Sequence, residues 1–153
     1  MILISHRGNI CGKNIDEENK PSYIDSAIRK GYDVEVDVWV DENNNIFLGH
    51  DNPQYKIDIF WLGFRKNNLW IHCKNIKSME LFSNQVGFNY FWHDTDTMTL
   101  TSKGFIWAYP GKQPIRQSIS VLPELYNDDV SFGIGICSDF IQNYKEKFGE
   151  DNL

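Results

Sequence analysis

The stretch that most constrains this chain runs over residues 33–51, DVEVDVWVDENNNIFLGHD. Val34, Val36, Val38 and Val40 alternate with Glu35, Asp37 and Trp39. A strand over residues 34–40 therefore carries valines on one face and two carboxylates beside a tryptophan on the other. Residues 41–45, DENNN, break it, because Asp and Asn side chains bond their own backbone and favour turns. Residues 46–48 form a second short strand that delivers Gly49, His50 and Asp51. Carboxylates two residues apart on one strand face repel each other. They are stable together when a hard cation sits between them or when water screens both. The residues alone leave both open: a solvated edge strand, or a strand that binds a metal.

The chain has 153 residues, enough for one domain with its own core. Lys plus Arg is 15 against 21 Asp plus Glu, and the net charge of -6 argues against nucleic acid or an anionic membrane as main partner. No apolar run approaches a membrane span, and the first residues, MILISH, lack the basic leader of a signal sequence. Cys11, Cys73 and Cys137 are odd in number and scattered, which fits free thiols in a reducing cytoplasm better than a disulfide framework.

Residues 1–4 read as a buried first strand ending in Ser5-His6-Arg7-Gly8, a histidine and an arginine placed to receive an anion. Residues 9–20 are a polar loop. Pro21 opens a helix through about Lys30, which Gly31 ends. Residues 57–64 suggest a short helix. Residues 69–74, LWIHCK, repeat the earlier pattern, with Trp70, His72 and Lys74 on one face and Leu69, Ile71 and Cys73 on the other. Cys73 thus faces away from His72 and is no candidate nucleophile. A helix over 76–86 follows, then strands over 88–92, 104–109, 118–122 and 132–137, and a closing helix over 140–148 that Ser138 and Asp139 are expected to cap. His93 and Asp94 end one strand, and Trp107 and Tyr109 suit a pocket wall or a core. Eight short strands with polar groups at their ends suit a parallel barrel, whose sites lie at the C-terminal ends of the strands.

In order and approximate spacing, His6-Arg7-Gly8, Glu18-Asn19, Glu35-Val36-Asp37-Val38 and Gly49-His50-Asp51 resemble the glycerophosphodiester phosphodiesterase family, within the phospholipase-C-like phosphodiesterase superfamily. Gly135-Ile136-Cys137-Ser138-Asp139 is similar to that family's closing strand. The strong match covers about the first third of the chain. The resemblance implies a (β/α)₈ barrel and a divalent cation, Mg²⁺, Ca²⁺ or Mn²⁺, on Glu35 and Asp37. It also implies His6 and His50 as an acid/base pair around a phosphodiester, with Arg7 on a phosphate oxygen. Lys74 is expected on a phosphate oxygen or orienting a carboxylate, with Glu18 and Asp51 supporting the site from behind or serving the fold. The chain departs from the family twice. The usual third metal carboxylate, in a Glu-x-Lys pattern, is replaced in His72-Cys73-Lys74, which makes His72 the candidate third ligand. Barrels of this type also take ~200 residues or more, so several outer helices must be missing, after the second, fifth, sixth and seventh strands. An open or incomplete barrel is the alternative.

Two functions follow from these residues. One is a metal-dependent phosphodiesterase acting on a small glycerophosphodiester-like substrate. The other is a catalytically silent barrel that binds a phosphorylated ligand or a protein partner. Missing helices would also bare the valine- and isoleucine-rich outer strand faces, which predicts a homo-oligomer.

Overall fold

The structure is a computed structural model that describes residues 1–149. Its strands are β1 (Ile2–His6), β2 (Asp33–Val40), β3 (Ile46–Leu48), β4 (Tyr55–Ile57), β5 (Leu69–Cys73), β6 (Asn89–Phe91), β7 (Met98–Leu100), β8 (Ile106–Ala108), β9 (Ser118–Val121) and β10 (Gly135–Ser138). The helices are α1 (Pro21–Arg29), α2 (Ile59–Arg65), α3 (Ile76–Ser83) and α4 (Ile141–Phe148). Local chemistry sets their ends. Pro21 stands in the first turn of α1, where its missing N–H is no loss. Asp58 caps α2 by accepting from the Trp61 N–H, and Asn75 and Ser78 cap α3 reciprocally.

The fold is mixed α/β, built on one ten-stranded sheet that does not close. Its parallel strands run in the order β6-β5-β2-β1-β10-β9-β8. β6 and β8 share no ladder. Instead the turn after β7 bridges them: Ser102 donates its N–H to Tyr90 O at 2.8 Å, and its Oγ accepts from the Tyr90 N–H and donates to Phe88 O. Among the described residues no helix follows β6 or β8, and only a 3₁₀ turn (Pro123–Leu125) follows β9.

As one of eight strands of a parallel barrel, the strand over 46–48 is expected to run parallel to β2. It runs antiparallel, pairing Val38 with Leu48, on the β2 edge that β1 leaves free beyond His6. The reason is length. A parallel crossover needs a dozen residues or more, and residues 41–45 close a hairpin, with Asp41 Oδ1 accepting from the Asn43 and Asn45 N–H groups. β4 extends that hairpin and β7 pairs antiparallel with β8; neither was anticipated.

The sheet has a core on each side. Val34, Val36, Val38, Leu69, Ile71 and Cys73 pack outward against Ile24, Ala27, Leu62 and Phe82 of the helices. Ile4, Trp70, Phe91, Trp107, Ile119 and Cys137 fill the inner side, with Phe91 and Trp107 ring centroids 4.7 Å apart. The valine face expected to be bare is thus covered; exposed apolar side chains instead include Phe60, Phe64 and Val86, on α2 and before β6. Glu35 and Asp37 take the inner side and are buried, which excludes the solvated edge strand. Burial of the four β2 valines supplies ~6 kcal/mol or more. That is the scale of cost expected from burying charged carboxylates, several kcal/mol each.

Candidate active site

β1, β2 and β5 are neighbours, and their register sets His6 beside Glu35 and Asp37 beside His72 at the C-terminal ends of the strands. A cavity of about 260 Å³ opens there. His6, Arg7, Glu35, His50, His72 and Lys74 line it, with His93, Asp94, Trp107, Tyr109 and Leu122 on the opposite wall. Asp37 lies beneath the lining, 0% exposed.

The turn after β1 positions Arg7 through backbone shape. Arg7 has φ 56° and Gly8 φ 96°, and a Cβ on Gly8 would lie 2.5 Å from the Tyr23 ring. Arg7 Nε stands 3.0 Å from Asp37 Oδ2, and Nη1 donates to Glu18 Oε2 at 3.2 Å. Glu18 is buried and also accepts from Asn9 Nδ2. Asn19 Nδ2 donates to Asp37 Oδ2, and Asn19 Oδ1 accepts the Asp37 N–H.

Asp37 Oδ1 faces His72 Nδ1 at 3.1 Å and Lys74 Nζ at 3.8 Å. Burial alone would raise the Asp37 carboxyl, but His72, Arg7 and Lys74 together hold it well below the usual carboxylate range. Its neighbour behaves in the opposite way. Burial and the Asp37 charge push Glu35 up, and no ring nitrogen comes within hydrogen-bond distance, with His6 Nε2 3.8 Å from Oε2 and His72 Nδ1 3.9 Å from Oε1. Glu35 Oε2 and Asp37 Oδ1 are buried and have no hydrogen-bond partner.

His6 has a partner that the sequence reasoning missed. Its Nδ1 donates to Asp139 Oδ1 at 2.7 Å, and Asn9 Nδ2 donates to the same oxygen at 2.8 Å. The ring's Nε2 is left for the cavity. Burial would lower the His6 pKa; the Asp139 hydrogen bond and the Glu35 charge outweigh it and hold it above its ordinary value. Asp139 therefore does not cap α4, whose N-cap is Phe140 with no side-chain bond. Ser138 Oγ accepts the Phe140 N–H and donates to Glu124, which also accepts the Asp139 N–H. Asp139 follows the strand beside β1, and that adjacency, with Ser5 opposite Ser138, was its only available signal.

His50 sits on a shaped turn. Gly49 has φ 152°, and a Cβ there would run into the Asn52 carbonyl. Trp39 Nε1 donates to Gly49 O at 2.7 Å. His50 Nδ1 lies 2.8 Å from Asp51 Oδ1, with Asp51 in solvent. Burial and the Arg7 charge lower the His50 pKa. Opposite, the His93 ring packs on Tyr109 at 3.6 Å between centroids, and burial and His72 lower its pKa to about 4. Trp107 and Tyr109 line the wall, and Trp107 is at the same time part of the inner core. Cys73 is buried, with its thiol pushed up to about 12, and all three cysteines are free.

Glu35, Asp37 and His72 fit a cation: each offers a ligand atom, and these atoms lie within 4.8 Å of one another. His72 Nε2 is 3.2 Å from His93 O, which can only accept, so Nε2 carries the proton and Nδ1 faces the carboxylates. No helix among the described residues is long and apolar enough to cross a membrane. No protein-family model, curated protein or solved structure matches the chain.

Proposed function

We propose that the protein is a metal-dependent phosphodiesterase acting on a small glycerophosphodiester-like substrate, on the pattern of the glycerophosphodiester phosphodiesterase family. One observation carries this. Glu35 lines a cavity with His6, Arg7, His50 and Lys74, Asp37 is buried beneath it, and each carboxylate has an unpartnered oxygen, a set suited to an anion with a proton to move on either side. The frame is a reduced form of a (β/α)₈ barrel in this reading, supported by seven parallel strands in barrel order, one short of eight, with no ladder between β6 and β8.

Asp139 holds His6 in the tautomer with a proton on Nδ1, so Nε2 takes a proton from the attacking water or substrate hydroxyl, or returns one to the leaving oxygen. His50, held through Nδ1 by Asp51, does the complementary transfer. Arg7 and Lys74 offset the anionic oxygens that repel a nucleophile. Trp107, Tyr109 and Leu122 limit water on the far wall. A divalent cation on Glu35, Asp37 and His72 would supply further charge stabilisation and a more acidic bound oxygen.

The test is hydrolysis of bis(p-nitrophenyl) phosphate with added Mg²⁺, Ca²⁺ or Mn²⁺. His6→Ala and His50→Ala should each lower the rate about 10²-fold or more. A second reading, a silent barrel that binds a phosphorylated ligand, draws on the fact that Arg7 and Lys74 already neutralise Asp37 without an added cation. Phosphate-monoester binding with no turnover of any diester would establish it.

A further inference from the structure

We propose that the cation site is selective for transition-series divalent ions such as Mn²⁺ and Co²⁺ over Mg²⁺ and Ca²⁺, with His72 Nδ1 as a direct ligand. The proposal rests on the reading that Glu35 and Asp37 hold a cation.

His72 is fixed from two sides. Its ring stacks on Phe91, with centroids 5.2 Å apart and planes 13° from parallel. Its Nε2–H donates to the His93 carbonyl, the arrangement by which metal-binding histidines are held in one tautomer. The Nδ1 atom then faces Asp37 Oδ1, 3.1 Å away, and Glu35 Oε1, 3.9 Å away. Asp37 Oδ1 is buried and has no hydrogen-bond partner. Glu35 Oε2 is in the same state. The two buried carboxylates and the locked nitrogen therefore point to one cation.

The donor set decides which. Mg²⁺ and Ca²⁺ favour oxygen and gain from each added negative charge. Here a neutral nitrogen stands in the place of a third carboxylate, so the trio carries two negative charges rather than three. Imidazole nitrogen suits transition-series ions. Arg7 and Lys74 on either side of Asp37 oppose any cation, so selectivity rather than tightness is the signature.

Mn²⁺ binding to the whole protein is followed by electron paramagnetic resonance, with Mg²⁺ and Ca²⁺ as competitors, for wild type, His72→Ala and His72→Glu. Wild type should hold Mn²⁺ at least ~10-fold more tightly than Mg²⁺ or Ca²⁺, and pulsed spectra should show coupling to an imidazole nitrogen. His72→Ala should weaken Mn²⁺ about 10-fold or more and abolish the nitrogen coupling. His72→Glu should bind again but with Mg²⁺ and Ca²⁺ favoured. Circular dichroism melts confirm that each variant is folded; if His72→Ala is not, the wild-type competition and nitrogen coupling decide. Binding with the same affinities and metal order in all three, or no nitrogen coupling, overturns the selectivity and leaves the cation standing. No binding of any ion in wild type overturns both.

Discussion

Replacing Asp139 with asparagine tests its role as the partner of His6. Asparagine keeps the size and still accepts from His6 Nδ1 and Asn9 Nδ2, 2.7 and 2.8 Å away in the native protein. The charge is lost. A hydrogen bond to a charged group contributes about 1.5–3 kcal/mol against 0.5–1.5 for a neutral one, so ~1–2 kcal/mol should go. The pH dependence is more telling. In the native protein the His6 pKa lies above its ordinary 6.5 because Asp139 and Glu35 outweigh burial. The stability this contributes is present in full below 6.5 and is lost as pH rises through the folded value. Asp139→Asn removes the charge and weakens the hydrogen bond that raise it, leaving Glu35 alone against burial and the Arg7 charge, so the His6 pKa should fall below 6.5. The sign then reverses: the His6 contribution in the variant is complete above 6.5 and is lost as pH falls below it. Urea unfolding on both sides of neutrality, with NMR titration of the His6 ring proton, measures both quantities. Diester hydrolysis should fall ~10²-fold or more as Nε2 loses its basicity. An unchanged His6 titration and rate in a folded Asp139→Asn protein would refute the pairing.

Other perturbations follow from the same network. Asn9 is fully buried and joins Glu18, Asp139, the Asn14 N–H and Tyr23 OH, so Asn9→Ala should cost about 2–4 kcal/mol in chemical denaturation; a cost under ~0.5 kcal/mol would mean that water replaces those bonds. Gly49→Ala meets the Asn52 carbonyl at a φ that only glycine tolerates, and should destabilise by ~1–3 kcal/mol while displacing His50; an unshifted His50 NMR signal would show that the turn yields elsewhere. If the protein self-associates, Phe60, Phe64 and Val86 are the apolar surface to bury, so Phe64→Glu should lower the light-scattering mass to the monomer value; a wild type that is already monomeric at high micromolar concentration counts against association.

Much of the site was legible in the chain because short-range rules govern it. Alternation through β2 separates the valines from Glu35 and Asp37 whatever surrounds them. The same rule sets His72 and Lys74 apart from Cys73, and the local motifs around His6, Arg7 and His50 mark strand ends. Alternation cannot say which face turns inward. Only the packing of Trp70, Phe91 and Trp107 on one side and the helices on the other decides that Glu35 and Asp37 are buried. The antiparallel course of β3 was implicit in the short turn over residues 41–45, but the barrel resemblance argued against it. Asp139 was not legible as the partner of His6, since 133 residues separate them and the pairing of β1 with β10 alone brings them together. Nor was the proton on His72 Nε2, which is set by the His93 carbonyl, a backbone group carrying no side-chain identity. Sequence determines which groups a strand presents and on which face; tertiary structure determines what they meet, because hydrogen-bond partners and solvent exclusion come from strands distant along the chain.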